Sequence, residues 1–413
     1  METQQSRPLS RPASQPVPVT PEWVRAAVVG AQHIPAPSGP AHYDDAGAVL
    51  RGLGLIQLDP LTRVSTAQRL TCLTRLPRAA RAAEVDAALW PAGPDSSADP
   101  VSFEAFTKVA CVFPLEDWPL LQLRRETVRE ATAATLDPGI AGRIREVVGS
   151  GPRGVQVGTI EAALGSQRTT GWNWSEIKQA AELMVRTGDL VITARDGVVR
   201  LFDLPERALP AHLREAGHLP PDQLRAGLAR RAAGALAVMT AADFAHHYHL
   251  SRADAAHGIE LAGLVPLRIE GWRETAYCLP ELLDAAEDPG AAEDLGAAEA
   301  DPRGLGPVKE ARLIGPFDPL LRDRRRALRI FGFDYTFEAY VPKAQRIYGH
   351  YVMGVLSGAR LIGRVDLWRA DGELVVHRIF PEPGVPRRSV EVRAKAAAGT
   401  LARQLGVGLR LPE

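Results

Sequence analysis

One order of elements is written twice in this chain, and it restricts the available folds more than any other feature. Between Thr159 and Leu201 the pattern predicts a short helix (Thr159 to Leu164), a longer one (Trp174 to Thr187) and two strands (Leu190 to Ile192, Val198 to Leu201). The longer helix carries Ile177, Ala180, Ala181, Met184 and Val185 at helical spacing, and Gly188 stops it. The strands flank Arg195, Asp196 and Gly197, and Asp-Gly is a tight-hairpin signal. The same order recurs at 240–279. Thr240 caps a helix ending near Tyr248, Ser251 caps a second through Ala262, and Gly263 closes it. Leu264 to Ile269 and Thr275 to Leu279 then form a hairpin around Glu270 and Gly271. Helix, helix, hairpin is the order of a winged helix, which places a helix in a DNA groove and a wing on the backbone. Such units also mediate protein contacts. Helix, turn, helix before Leu76 reads as a third, degraded copy.

The remainder fits around these units. Residues 1–19 are Pro-, Ser- and Gln-rich and read as a disordered tail. Residues 20–150 read as a mainly helical first domain. Its helices are expected at Pro21 to Val29, Tyr43 to Leu53, Ser65 to Leu76, Glu84 to Leu89, Val101 to Val112, Leu115 to Arg125, Arg124 to Ala134 and Ile140 to Val148. The second and third winged helices are assigned to 151–210 and 211–280. An acidic linker occupies 281–310, where every charge in 281–301 is negative. A small antiparallel β domain follows at 311–413, with strands at Arg329 to Phe333, Gly349 to Leu356, Arg360 to Leu367 and Glu373 to Ile379, and a last helix from Ser389 to Leu405.

Composition narrows the function classes. Forty-nine basic residues balance 49 acidic ones, so any nucleic-acid surface must come from segregated charge, as in the run Arg322 to Arg329. The three cysteines, Cys72, Cys111 and Cys278, form no CxxC pair, which argues against a disulfide framework or zinc ribbon and suits a reducing cytoplasm. There is no apolar h-region at the N-terminus and no run long enough to span a membrane.

The candidate chemistry lies in Leu53 to Val64, where Gln57 and Asp59 interrupt an apolar segment on either side of Leu58. In an extended chain Gln57 and Asp59 share one face while Ile56 and Leu58 point into the core. A carboxylate beside an amide suits the handling of a water: the first takes a proton or steadies a cation, the second donates and accepts. Asp-Pro is also a common turn starter, so Asp59 could simply end a strand with Gln57 facing solvent. The glycine-rich Gly149 to Gly154 lacks a P-loop ending and reads as a linker. His246 and His249 share a helical face but have no evident third metal ligand. Trp172 and Trp174 could stack on bases or plug a core. No metal or other cofactor is expected.

Several stretches resemble one family, the AlkZ/YcaQ winged-helix DNA glycosylases of bacteria. They are Gly54-Leu-Ile-Gln-Leu-Asp59, Trp172-Asn-Trp-Ser-Glu-Ile-Lys178 and Asp203-Leu-Pro-Glu-Arg-Ala-Leu-Pro210. The C-terminal set is Gly315-Pro-Phe-Asp-Pro-Leu-Leu-Arg-Asp-Arg324, Phe331-Gly-Phe-Asp-Tyr335, Glu338-Ala-Tyr-Val-Pro342, Arg346-Ile-Tyr-Gly349 and Gly363-Arg-Val-Asp366. The resemblance implies an α+β fold of tandem winged helices followed by a small antiparallel β-barrel-like domain, C-shaped around duplex DNA. The Gln-apolar-Asp form of Gln57-Leu58-Asp59 places the chain with the YcaQ-like branch. The sequence departs from the family pattern at Glu104-Ala-Phe-Thr-Lys108, often Glu-Tyr-Trp-x-His, and at Gln68, where histidine is common. Phe106, Lys108 and Gln68 therefore bear on substrate range.

What the resemblance implies is a monofunctional glycosylase that excises cationic N7-alkylpurines and unhooks interstrand crosslinks. Asp59 would steady the oxocarbenium and activate water, and Gln57 would orient that water. The partner is damaged double-stranded DNA, bound by a monomer in the cytoplasm at the nucleoid. Lys178, Arg195, Arg322, Arg324, Arg325, Arg326 and Arg346 are the candidate DNA-contacting residues. The rival reading is a non-enzymatic winged-helix regulator, which would bind selected sequences, commonly as a dimer, without needing Asp59.

Overall fold

A computed structural model describes residues 15–34, 43–93, 96–166, 175–215, 219–287 and 310–412. The chain is mixed α+β, with three small sheets and one five-stranded sheet among the described residues. The three small sheets share a plan. In each, a two-residue strand is followed by two helices and a hairpin, and the short strand pairs with the second strand of that hairpin.

In the first unit the parts are Ile56–Gln57, helices Ala67–Arg75 and Ala82–Leu89, and strands Ser102–Phe106 and Ala110–Pro114. The second has Val155–Gln156, helices Val157–Ala163 and Glu176–Thr187, and strands Val191–Asp196 and Val199–Asp203. The third has Met239–Thr240, helices Ala241–Tyr248 and Arg252–Leu261, and strands Val265–Ile269 and Ala276–Cys278. The expected caps Thr240 and Ser251 hold, and Ser175, expected inside its helix, caps it instead: each accepts a backbone N–H from the first turn of the helix it precedes.

The first unit is thus a full copy, and the helices expected at Val101 to Val112 and Leu115 to Arg125 need correction. Ser102–Phe106 and Ala110–Pro114 form a hairpin, followed by two 3-10 turns and a helix at Gln122–Thr132. The apolar residues in this stretch, Phe103, Cys111 and Phe113, are fully buried, and a short apolar run does not distinguish strand from helix. The expected strand at Arg329 to Phe333 is the end of a helix, Arg324–Phe331, capped by Asp323 and closed by Gly332 at φ 64°.

Two other assignments are corrected in part. Val17–Val19, inside the presumed tail, is a strand parallel to Val265–Ile269. Pro280–Glu287, at the start of the presumed linker, is a helix. The rest of both segments, 1–14 and 288–309, lies outside the described residues, as do Trp172 and Trp174.

The five-stranded sheet runs Arg312–Ile314, Val352–Ser357, Arg360–Ala370, Glu373–Pro381 and Gly408–Arg410 in that spatial order. Helix Arg387–Leu405 packs on it through Val390, Ala394, Ala398 and Leu401. That core is shared with the first unit, because Leu50, Leu53, Ile56, Leu70 and Leu73 join Met353, Val365 and Leu367. A second core joins Leu55, Phe103 and Phe113 to the helix Pro221–Leu236 and to Phe244 and Tyr248 of the third unit. The second unit keeps a core of its own around Ile160, Met184 and Ile192. Leu55 and Ile56, neighbours on an extended chain, therefore feed two different cores.

Candidate active site

The strand Ile56–Gln57 lies on the seam between those two cores. Helix Ala46–Leu53 delivers the chain to it, capped by Asp45 and ended by Gly54 at φ 71°. A side chain at Gly54 would combine that left-handed backbone with close approach to Arg231 and to the Tyr248 hydroxyl, so glycine suits the position. Gln57 pairs across the ladder with Cys111, and the Leu58 N–H donates to the Ala110 carbonyl at 2.9 Å.

After the short strand the three units diverge. In the second and third, a helix starts at the next residue, Val157 or Ala241. In the first, residues 58–66 intervene before the helix at Ala67, and this inserted loop carries Asp59. Pro60 cannot donate to a ladder, which fits the departure of the chain from the sheet there.

Gln57 is 9 % exposed, and its side-chain amide has no hydrogen-bond partner among the described residues. Asp59 is half-buried; its Oδ1 accepts the Leu61 N–H at 3.0 Å, which fixes the carboxylate in a turn. Its Oδ2 accepts nothing from the protein among the described residues. Burial raises the Asp59 pKa above the usual carboxylate range, and the Leu61 hydrogen bond opposes this only in part.

The loop is held from beyond. The Arg369 N–H donates to the Arg63 carbonyl at 2.9 Å, and the Arg63 guanidinium lies 5.2 Å from the Trp368 ring centre. Val64 and Ser65 are buried. Tyr351 directly precedes the strand Val352–Ser357 of this sheet; its hydroxyl is buried without a partner among the described residues, and burial raises its pKa, as do the charges of Tyr335 and Asp59. Nearby on the same sheet, His377 Nδ1 is 3.1 Å from Asp366 Oδ2. A carboxylate with one free oxygen, next to an unpartnered amide, is able to hold a water and to face a developing positive charge.

The DNA-contact candidates separate on inspection. Arg326 is 4 % exposed, and its guanidinium donates to Asp243 at 3.1 Å and to the Val238 and Leu236 carbonyls at 2.6 and 2.7 Å. It holds the third unit to helix Arg324–Phe331 and is committed inside the protein. Arg195 pairs with buried Glu104 at 2.6 Å and lies over Trp90 at 4.3 Å, tying the second unit's hairpin to the first. Arg324 donates to the carbonyls of Pro316 and Leu321 and covers Tyr335. The basic run is helical, and its period turns Arg326, Ala327 and Ile330 inward, so it is not a uniform exposed edge.

Arg325 is exposed, whereas Lys178, Arg322 and Arg346 are partly so. The charge of Arg322 acts on Cys111, the residue across from Gln57. Arg346 donates to the Val341 carbonyl at 2.8 Å. His246 and His249 do not come together as a metal site: His246 Nδ1 faces Asp323 at 3.3 Å, and His249 ends its helix at φ 56°.

Of the positions that depart from the family pattern, Gln68 is buried and its amide reaches Asp86 at 3.4 Å. Phe106 and Lys108 lie at the turn of the first hairpin. The sequence reading places Tyr351 within the strand expected at Gly349 to Leu356 and uses 338–342 and 346–349 only as carriers of the resemblance; that Tyr351 feels the charge of Asp59 is not legible there.

A family model described as DNA glycosylase AlkZ-like matches residues 50–403. Among solved structures, Streptomyces sahachiroi DNA glycosylase AlkZ superposes with a TM-score of 0.61, covering 96 % of this chain and all of that one at 20 % identity. At that identity the superposition speaks for a common fold.

Proposed function

The chain belongs to the AlkZ-like DNA glycosylase family, and from that premise we propose that Asp59 and Gln57 excise cationic N7-alkylpurines from duplex DNA. The observation that carries this is the pair itself: a strand-end amide with no protein partner among the described residues, followed by a carboxylate with one free oxygen on a loop that the other two units lack. N7 alkylation leaves the purine positively charged, so it departs without a general acid. As the C1′–N9 bond breaks, its electron pair neutralises the purine and positive charge grows on the sugar. Ionised Asp59 faces that charge; a water held by Gln57 forms the new bond to C1′ and gives its proton to Asp59. Because water is the nucleophile, the product is an intact strand with an abasic site.

Each strand–helix–helix–hairpin unit is read as a winged helix, the three with the five-stranded sheet forming a C around the duplex. Arg322, Arg325, Arg346 and Lys178 serve as phosphate contacts with little sequence preference. The Gln-apolar-Asp pair is that of the YcaQ-like branch, and crosslink unhooking is the extension of the same chemistry to a base tethered to the opposite strand. Full extrusion of such a base is difficult, which favours attack within the duplex. We assign a monomer acting at the nucleoid.

The test is single-turnover incubation with duplexes carrying one N7-methylguanine or one nitrogen-mustard crosslink. Base release or unhooking that needs alkali to cut the strand, and that Asp59→Asn abolishes, is expected. Unchanged lesions at high protein excess, with binding to a selected sequence, would instead mark a regulator.

A further inference from the structure

Two large apolar side chains near the candidate site are left in solvent. Tyr340 is 82 % exposed and Ile347 is 73 % exposed, both in the segment 338–350 that leads into Tyr351. Isolated apolar residues on a surface are ordinary. These two differ in how firmly their loop is built. The Glu338 carboxylate, itself buried, accepts the backbone N–H groups of Ile347, Tyr348 and Gly349 at 3.0, 2.9 and 2.9 Å. Arg346 closes the loop from the other side through the Val341 carbonyl. Two side chains are thus held out on a backbone fixed beneath them, with their ordering entropy already spent.

An aromatic chain connects the loop to the candidate active site. The Tyr340 ring stands edge-on to Phe337 at 6.2 Å, and Phe337 stands edge-on to Tyr351 at 5.8 Å and to Phe317 at 5.2 Å. Phe317 and Phe337 pack on the same core as Leu58, between Gln57 and Asp59. The loop's free charge is positive: Lys343 is exposed, Arg346 is partly exposed, and its one carboxylate is consumed inside. An apolar tip rimmed by cations, beside a site proposed to meet a base in duplex DNA, has the chemistry of an element that enters the base stack while its edges meet phosphates.

We propose that Tyr340 and Ile347 form a wedge that inserts at the step beside the lesion, unstacking it so that the sugar reaches Asp59. This deepens the glycosylase reading and rests on it. An unstacked step exposes C1′ without extruding the base, and an aromatic ring replaces part of the lost stacking.

The experiment uses the full chain and duplexes holding one N7-methylguanine flanked by 2-aminopurine, whose fluorescence rises on unstacking. Wild type, Tyr340→Ala, Ile347→Ala and Tyr340→Phe are compared for single-turnover base release, 2-aminopurine signal and salt dependence of binding. Tyr340→Ala is expected to lose the fluorescence rise and to slow release roughly ten-fold or more, while the salt slope stays unchanged. Tyr340→Phe is expected to keep both. A fluorescence rise and release rate that survive Tyr340→Ala and Ile347→Ala would overturn the wedge while leaving Asp59 chemistry intact. Should wild type release no base, the reading at Asp59 fails, and a wild-type fluorescence rise lost in Tyr340→Ala would still uphold insertion; no rise in wild type would overturn it.

Discussion

Arg75 and Asp318 form a two-pronged ion pair at 2.7 and 3.0 Å with both side chains essentially excluded from solvent. Arg75 ends a helix of the first unit, and Asp318 lies in the Gly315-Pro-Phe-Asp-Pro segment that follows the first strand of the large sheet. The same guanidinium donates to the Thr71 carbonyl and to Gln32 Oε1, whose amide in turn meets the Ala235 carbonyl. One arginine therefore joins four distant parts of the chain. The motif around Asp318 is a fastening that sets the large sheet against the helix Ala67–Arg75, which follows the loop bearing Asp59, since Thr74 also donates to the Leu313 carbonyl.

Removing one partner of this pair leaves a buried charge without compensation. Asp318→Ala is expected to destabilise the protein by about 3–5 kcal/mol. Replacing both partners by apolar residues of similar volume is expected to restore much of the loss. Urea unfolding of the three variants checks this, with base-release rates of the folded fraction expected to stay near wild type.

Asp59 predicts a pH dependence of defined sign. Burial raises its pKa in the folded protein, and the ionised form is the working one, so base release should fall as pH drops through a point above the ordinary carboxylate range. The stability effect runs the other way. A carboxyl with a raised folded pKa contributes its stability below the unfolded pKa and loses it as pH rises through the folded one. Asp59→Asn should therefore abolish activity yet leave the thermal midpoint at pH 7 equal to or above wild type. A lower midpoint would show that the carboxylate holds the loop rather than serving the reaction.

How much of this was legible in the sequence differed from element to element. The second and third units were readable because Thr240, Ser251, Gly188, Gly263 and the Asp-Gly turn are local signals whose physics acts within a few residues. The first unit's hairpin was not, because Cys111, Val112 and Phe113 are buried in succession, Val112 in one core and Cys111 and Phe113 in the other, so the sequence shows no apolar/polar alternation. Helix Pro221–Leu236 went unassigned; its alanines and arginines give a weak periodic signal, and its burial comes from two units packing around it. The spacing of Gln57 and Asp59 left a turn starter open as the alternative, and it was the family resemblance that singled the pair out. That Asp59 sits on an insertion became visible only when three copies could be laid over one another, since the copies share topology rather than residues.

Arginines of one helix should behave in opposite ways. Arg326 is buried against Asp243, whose carboxyl burial would raise but which Arg326 and Arg329 hold below its ordinary range. Arg326→Ala should unfold the protein at lower denaturant, by about 3–5 kcal/mol. Arg325 is exposed, and Arg325→Ala should leave stability within about 0.5 kcal/mol. If Arg325 meets a phosphate, the slope of log affinity against log salt falls by about 1, uniformly across DNA sequences. Binding titrations at several salt concentrations, beside unfolding curves, separate the two effects.

Gln57 gives the sharpest separation of chemistry from architecture. Other buried amides of this chain hold the fold: Gln32 bridges Arg75 to the Ala235 carbonyl, and Gln404 reaches the Leu73 and Pro77 carbonyls. Replacing either strands a partner and is expected to cost about 1–3 kcal/mol. The Gln57 amide strands nothing, because no protein group among the described residues is bonded to it. Its strand stays in the ladder through backbone bonds to Cys111 and Ala110, which a substitution does not touch. Gln57→Ala is therefore expected to leave the unfolding midpoint within the change caused by a lost partly buried side chain. Base release should slow by roughly 10²-fold as the attacking water loses its orienting group. Gln57→Glu adds a second carboxylate beside Asp59; repulsion should raise the lower pH limb of activity further, so its rate recovers toward neutral pH and above. A Gln57→Ala variant with unimpaired release would remove Gln57 from the reaction and leave Asp59 to position its own water.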